Sequence, residues 1–494
     1  MRSLTLTRRA ITGTFLLALA AWTPSAVAGR AAATDKIPIT TSSTEARDLY
    51  VKGRELAEKL RATDARKFYE QAVAMDADFA LAYLGLANTA GTTKEFIDAV
   101  TRAATLAGKV SEGEKHMVLG LDAAMKGNPA EVLSHYTELV RLFPNDERAH
   151  TLLGNLYFGR QDYDAAVKEF VTATTINPSF SQPYNQLGYA YRFTERLDDA
   201  EAAFKRYVQL IPDDPNPHDS YAELLMKRGR FDESIKAYER ALSLDANFVA
   251  SHVGIGNNYL CQGRTDHART AFARIAAVAR NTGERRLAHF WTAAAYVHDG
   301  ATDKALGELR AGYALAETER DTASMSGDLV QMGDILREAN RLDEASAKYA
   351  EAVKLVDQSD LPPQVKDATH RNSVFEAGRL AVARGDLATA KTMAAEYATQ
   401  IAPRKAPFEA RQLQELRGSI ALAEKRGADA VKELAGANQQ DPKVLYLTAL
   451  AFRESGDARQ AAVFAKKAAR FNGLSFNYAY VRTRAATLIG PATE

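Results

Sequence analysis

The chain repeats itself every 34 residues. Gly154, Gly188, Ala222 and Gly256 stand 34 apart. Tyr157, Tyr191, Leu225 and Tyr259 follow each of them by three residues, Ala166, Ala200, Ser234 and Ala268 by twelve, and Phe170, Phe204, Tyr238 and Phe272 by sixteen. Pro144, Pro178 and Pro212 close successive units, and Ala246 breaks that run. A fixed period of this length constrains the fold strongly, because a unit too small to bury its own apolar face must stack on a copy of itself.

Each unit reads as two helices. Spacings of three and four residues place Leu153, Gly154 and Tyr157 on one face of a first helix, and Ala166, Phe170 and Ala173 on one face of a second. The intervening "GRQDYD" is short and made of turn-forming residues, which folds the helices antiparallel. Small residues allow close backbone approach, and the rings fill the space between neighbouring units. Burying one such ring is worth roughly 1.5–3 kcal/mol. Proline cannot continue a helix and sets the exit. No strand pattern occurs.

These residues resemble the tetratricopeptide repeat, most specifically from Gly120 to Phe272, where five units agree in phase. Outside that stretch the twelve-residue interval between the two small residues survives. It joins Gly53 to Ala65 and Ala87 to Ala99 upstream. Downstream it joins Ala293 to Ala305, Gly333 to Ala345, Gly378 to Ala390, Gly418 to Ala430 and Ala449 to Ala461. The distance between units stretches to 37, 40, 45 and 40 residues and then shrinks to 31, which reads as constant hairpins with variable connections. The resemblance implies an all-α, right-handed superhelical α-solenoid of about twelve hairpins. The breaks "NTGE", "DQSDLPPQVKD" and "IAPRKAPF" read as linkers between blocks or as surface loops on one superhelix. The expected organisation is a signal peptide over 1–28, a flexible lead-in over 29–43, regular repeats over 44–282, degenerate repeats over 283–473, and a capping helix and tail over 474–494.

The compartment is read from the N-terminus. Arg2, Arg8 and Arg9 precede the apolar "AITGTFLLALAAW", and "AVA" at 26–28 offers small residues for cleavage, the layout of a secretory signal. "TRRAIT" also resembles a twin-arginine signal, so either export route is open. No later segment is apolar for long enough to span a bilayer. A periplasmic or secreted protein is expected. The net charge of +1 gives no field for nucleic acid, and the single cysteine, Cys261, excludes an intrachain disulfide and a cysteine-rich zinc site.

No motif of catalysis, metal binding or cofactor binding is present. His150, His218 and His252 share one place in their units and read as spacers at helix interfaces; His116 and His135 read likewise. Cys261 has no base nearby in the sequence and reads as a packed thiol. Binding is the better-supported class. In the family resembled, the second, fifth, ninth and thirteenth places of each first helix line a concave groove that holds peptides. The candidate groove residues are Asn155, Asn185, Tyr189, Arg192, Glu223 and Asn257, with Thr151, Gln182 and Asn216 beside them. The cations that clamp a peptide's terminal carboxylate in some family members are missing, although Asn155 matches. Lys466, Lys467, Arg470, Arg482 and Arg484 form a basic C-terminal stretch that suits an acidic partner. The expected function is a non-catalytic protein- or peptide-binding scaffold of a bacterial cell envelope. A small-ligand or glycan receptor would need one deep aromatic and polar pocket in the groove. An enzyme would need ionisable residues gathered in a cleft. Mass spectrometry of the envelope fraction should find a mature chain starting near Gly29, and replacing Arg8 and Arg9 by lysine should stop export only on the twin-arginine route.

Overall fold

The computed structural model describes residues 36–59 and 61–489. The expected signal peptide, 1–28, lies outside the described residues, as do 29–35 of the lead-in. Among the described residues the α-structure consists of twelve antiparallel hairpins and one final helix. The first seven hairpins are α1 (Thr44–Glu58) with α2 (Ala62–Met75), α3 (Ala80–Asn88) with α4 (Thr93–Leu106), α5 (Glu112–Met125) with α6 (Pro129–Leu142), α7 (Glu147–Gly159) with α8 (Tyr163–Ile176), α9 (Gln182–Phe193) with α10 (Leu197–Leu210), α11 (Pro215–Lys227) with α12 (Phe231–Leu244), and α13 (Val249–Cys261) with α14 (Thr265–Val278). Five follow: α15 (Thr282–His298) with α16 (Thr302–Thr318), α17 (Thr322–Glu338) with α18 (Leu342–Asp357), α19 (Pro363–Arg384) with α20 (Leu387–Ile401), α21 (Pro407–Ala423) with α22 (Gly427–Ala435), and α23 (Pro442–Glu454) with α24 (Ala458–Ala469). The chain ends on α25 (Phe476–Leu488). Each helix packs on the next, which makes an α-solenoid.

The packing code of the sequence has a direct physical form. Where the second helix carries a ring sixteen residues on, it lies against the small residue of its own first helix; under Gly418 the same place is taken by Leu434. A Cβ added at Gly154 would sit 2.5 Å from Phe170, at Gly188 2.5 Å from Phe204, at Gly256 2.1 Å from Phe272 and at Gly333 2.4 Å from Tyr349. Gly53 under Tyr69 and Gly120 under Tyr136 repeat the contact upstream. The ring also meets the following unit: Tyr69 covers Gly85, and Tyr238 covers Gly254. One aromatic side chain therefore joins two helices of a hairpin and the hairpin after it.

The turn inside the hairpins from α5–α6 onward is equally regular. Seven residues after the small residue the backbone turns left-handed, at Gly127, Gly229, Gly263, Gly300, Gly385 and Gly456 and at the non-glycines Gln161, Glu195, Asn340 and Lys425. Glycine takes that conformation without the Cβ penalty that others carry.

The stretched spacing between units arises differently from the expectation. The connections stay short, and the helices lengthen: α15, α16 and α17 have 17 residues each and α19 has 22, against 13 in α7 and 14 in α8. The proline-rich break is only the step from α18 to α19, and "IAPRKAPF" the step from α20 to α21. One core cluster runs without interruption from Val249 and Phe272 through Trp291 and Met332 to Leu380 and returns to Val481, so side chains on both sides of residue 282 share it. In the lead-in expected to be flexible, the described residues are held. Lys36 pairs with Glu147, the Ile37 amide donates to Asp146 at 2.8 Å, and the Thr40 amide donates to Glu114 at 2.7 Å.

The superhelix closes on itself edge to edge. The ends of α5, α7, α9 and α11 meet α21 and the connections that follow α20, α22 and α24. Arg404 donates to the Gly127 carbonyl at 3.0 Å, Arg411 to the Arg160 carbonyl, Gln161 to Asn438 at 2.8 Å, Gln440 to the Phe193 carbonyl at 3.0 Å, and Lys227 to the Phe471 carbonyl at 3.1 Å. The basic C-terminal stretch takes part: Lys467 lies 3.4 Å from Glu195, and Arg484 lies 3.1 Å from Glu338. Two of the cations expected to meet an acidic partner therefore meet carboxylates of their own chain. The last helix, α25, caps α24 and also reaches inward, where Phe476 packs on Phe290 and Tyr480 accepts from Gln331 at 3.2 Å.

Gly188→Leu should drive a side chain into Phe204, an overpacking that typically costs about 1–3 kcal/mol. Because repeats contact mainly their neighbours, hydrogen exchange should show the loss of protection centred on α9 and α10, and unchanged protection there would refute this packing.

Candidate functional site

The six candidate groove residues do not form one open strip. Asn155, on α7, is half-buried and lines an open cleft. Asn185, on α9, is only 4% exposed, and its Oδ1 has no hydrogen-bond partner. Asn257, on α13, is 3% exposed, and its amide donates to the Val253 carbonyl of its own helix. Tyr189, Arg192 and Glu223 are bound to one another. The Tyr189 hydroxyl donates to Glu223 at 3.0 Å, Arg192 pairs with Glu223 at 3.2 Å, and the Arg192 guanidinium lies 5.0 Å over the Tyr189 ring and 4.9 Å over that of Phe193. The edge of Tyr189 is turned to Phe204. The expectation of a polar strip across four units is thus corrected. A small residue lets the first helices touch: Ser251 on α13 faces α11, and its hydroxyl donates to Asp219 at 2.7 Å. Places that would line a wide groove are sealed where it is this narrow.

The open part of the concave face lies upstream. A cleft of 410 Å³ runs along α1, α3, α5, α7 and α9. Its walls carry Tyr50, Arg54, Tyr136, Asn155 and Gln182. Counted from the small residue at the eighth place, Tyr50 and Arg54 hold the fifth and ninth places of the Gly53 unit, Asn88 the ninth of the Ala87 unit, and Gln182 the second of the Gly188 unit. These are the concave places of the family pattern. Applying them to the two irregular upstream units would have found Tyr50, Arg54 and Asn88; Tyr136 is a packing ring that reaches the cleft from α6. Arg148, a second-place residue, bonds Glu58, a thirteenth-place residue three hairpins earlier, at 2.7 Å, which closes the cleft across the superhelix. The side-chain amides of Asn155 and Gln182 make no hydrogen bond among the described residues, and the buried Nε of Arg54 has no hydrogen-bond partner although it stands 3.8 Å from Glu58. These donors and acceptors are unspent, which is costly unless something polar meets them.

The concave places of the last hairpins are occupied. Asp334, Glu338, Arg379, Glu415 and Lys443 come from α17, α19, α21 and α23 and join Arg337 and Glu376 in one buried ion network. Lys443 holds Glu338 at 2.7 Å, and Arg379 meets Glu376 at 3.0 Å. Neighbouring cations hold Glu338 down at about 2 against the effect of burial, while burial raises Glu376. Helix α25 covers this network from one side through Tyr480 and Arg484.

The remaining candidates are structural. His150, His218 and His252 each bond the carbonyl six residues earlier, of Pro144, Pro212 and Ala246, at 3.0, 2.8 and 3.1 Å, and so tie down the loop that enters their helix. His116 and His135 meet through Nδ1 atoms 3.0 Å apart. Cys261 is buried among Met226 and Tyr478, and burial pushes its thiol up to about 12, which leaves no thiolate nucleophile at neutral pH. No group of histidine, cysteine and acidic side chains able to hold a metal occurs among the described residues. No helix of the described residues is long and apolar enough to cross a membrane.

Three family models match the chain. One described as a TPR repeat matches residues 154–192 and 222–263, and two described as tetratricopeptide repeats match 181–214 and 253–319. No curated protein matches the sequence. Similar solved structures include MamA, 21% identical over 31% of this chain and 91% of that one with a TM-score of 0.28. PilW, a type IV pilus biogenesis factor, is 18% identical over 45% of this chain and 97% of that one, with a TM-score of 0.33. A tetratricopeptide repeat protein from Parabacteroides merdae is 14% identical over 57% of this chain and 98% of that one, with a TM-score of 0.35.

Asp219, sealed between α11 and α13, makes the floor pH-sensitive. Burial, with Glu223 adding to it, pushes its carboxyl up to about 8. The folded state therefore keeps a proton that the unfolded chain releases near pH 4, so the stability contributed by the neutral acid is full below that pH and is lost as pH rises through about 8. Urea titrations should show Asp219→Asn flattening the decline in stability between those pH values; an unchanged pH slope would contradict the burial of an acid here.

Proposed function

The chain is a tetratricopeptide-repeat protein, and from that premise we propose that it is a non-catalytic scaffold that holds a protein or peptide segment in the concave cleft of its first five hairpins. The observation that carries this reading is the pair of unspent polar groups in that cleft, the amides of Asn155 and Gln182, beside the rings of Tyr50 and Tyr136. An extended peptide presents backbone N–H and C=O groups that those amides can satisfy, and the tyrosines can cover an apolar side chain. Tyr189, Arg192, Glu223, Asn185 and Asn257 then act as the rigid floor that closes the groove beyond the cleft. The N-terminal secretory pattern supports placement in the bacterial cell envelope, periplasmic or secreted.

A second reading has its own support. Tyr50, Tyr69 and Tyr136 with the amides of Asn88, Asn155 and Gln182 make an aromatic and polar pocket of the size that small ligands occupy, and rings beside amides suit a sugar. Asn155→Ala with Gln182→Ala separates binding from folding, since neither side chain holds another residue. Capture of the envelope partner by the purified mature protein should weaken about tenfold or more, a loss of about 1.4 kcal/mol, with the melting temperature unchanged. Unchanged capture would remove the cleft as the binding surface, and capture of soluble oligosaccharide in place of protein would favour the second reading.

A further inference from the structure

Where the two edges of the superhelix meet, they flank a second cavity, of 760 Å³. One wall is formed by the ends of α9 and α11, with Arg192, Phe193 and Lys227. The other is formed by α24, with Val463, Phe464, Lys466, Lys467 and Arg470. Two features distinguish it. The first is charge: five cationic side chains line the cavity and Glu195 is its only carboxylate, in a chain whose net charge is only +1. Glu195 engages Lys467, and Arg192 is engaged by Glu223 behind the wall. Lys466 and Arg470 have no ion pair among the described residues. Lys227 donates to the Phe471 carbonyl at 3.1 Å and lies 4.9 Å over the Phe471 ring, and no carboxylate is within ion-pair reach of it among the described residues. An ammonium has three donors, so two remain unspent. Burial and the neighbouring Arg192 push the Lys227 amine down to about 8, as expected of a cation without a counter-ion.

The second feature is an apolar surface beside the charge. Val463 is a large apolar side chain left 42% exposed, and it stands with Phe464, Phe193 and Leu445 on the same cavity. We propose that this cavity binds a small amphiphilic oxyanion, a carboxylate or phosphate head joined to an aromatic or branched aliphatic group. The head meets Lys227, Lys466 and Arg470, and the apolar part lies over Val463 and Phe464. Because these groups come from opposite edges of the superhelix, the bound anion fastens the closed form.

The test uses isothermal titration of the purified mature protein with inorganic phosphate, phenyl phosphate and phenylacetate. At least one of the two aromatic anions should bind saturably, at least tenfold more tightly than inorganic phosphate, and the tighter of the two identifies the head. Added salt should weaken it. The double variant Lys466→Gln with Arg470→Gln changes exposed side chains and should fold normally; it should weaken binding at least tenfold, as should Lys227→Gln. The control Lys52→Gln, on exposed α1, should bind as the parent does. Absence of saturable binding by either aromatic anion, or equal affinity in the double variant, would overturn the proposal.

Discussion

The regular half of this solenoid depends on a ring laid against a small residue. The second-helix aromatic can approach the first helix only because a glycine or alanine stands beneath it, and the same ring then serves as the platform for the next hairpin, as Tyr69 does for Gly85 and Tyr238 for Gly254. The contact sets the distance between helices and between units at once. In the irregular half the contact persists in one hairpin, and over Gly418 a leucine, Leu434, takes the place of the ring. Gly333 under Tyr349 keeps the arrangement although both helices there are longer than in the regular units.

The two halves of the concave face differ because different groups fill them. In the last hairpins the concave places carry charges that satisfy one another, with α25 laid over them. Breaking a buried pair of this kind by removing one partner costs about 3–5 kcal/mol, so the network holds its helices in one arrangement. In the first hairpins the same places carry Tyr50, Arg54 and the amides of Asn88, Asn155 and Gln182, and the last two make no hydrogen bond among the described residues. One half is satisfied internally, and the other keeps side-chain amides without a hydrogen-bond partner among the described residues.

Closure of the edges has a local cost that the chain retains. Gln161 and Glu195 take the left-handed conformation that glycine takes in neighbouring turns, at roughly 1–2 kcal/mol each. These are the two turns whose side chains cross to the C-terminal edge, Gln161 to Asn438 and Glu195 to Lys467. Glycine would relieve the strain and lose the crossing contact.

The hairpins, their number and the ring-on-glycine contacts were all legible in the sequence, because each arises between residues a fixed, short distance apart. Even the open cleft was partly legible, since Tyr50, Arg54 and Asn88 stand at concave places of units whose phase could be followed upstream. The fate of each concave place was not. Asn155 and Asn257 both hold the ninth place of their first helices, yet one lines a cleft and the other is 3% exposed. That difference comes from how tightly successive hairpins wind, and winding sums small rotations over many units. The meeting of Arg404 with Gly127 and of Lys227 with Phe471 has the same origin, since these residues lie hundreds of positions apart and no periodicity links them. Local spacing determined the unit; only the accumulated superhelix decided which surfaces stay open.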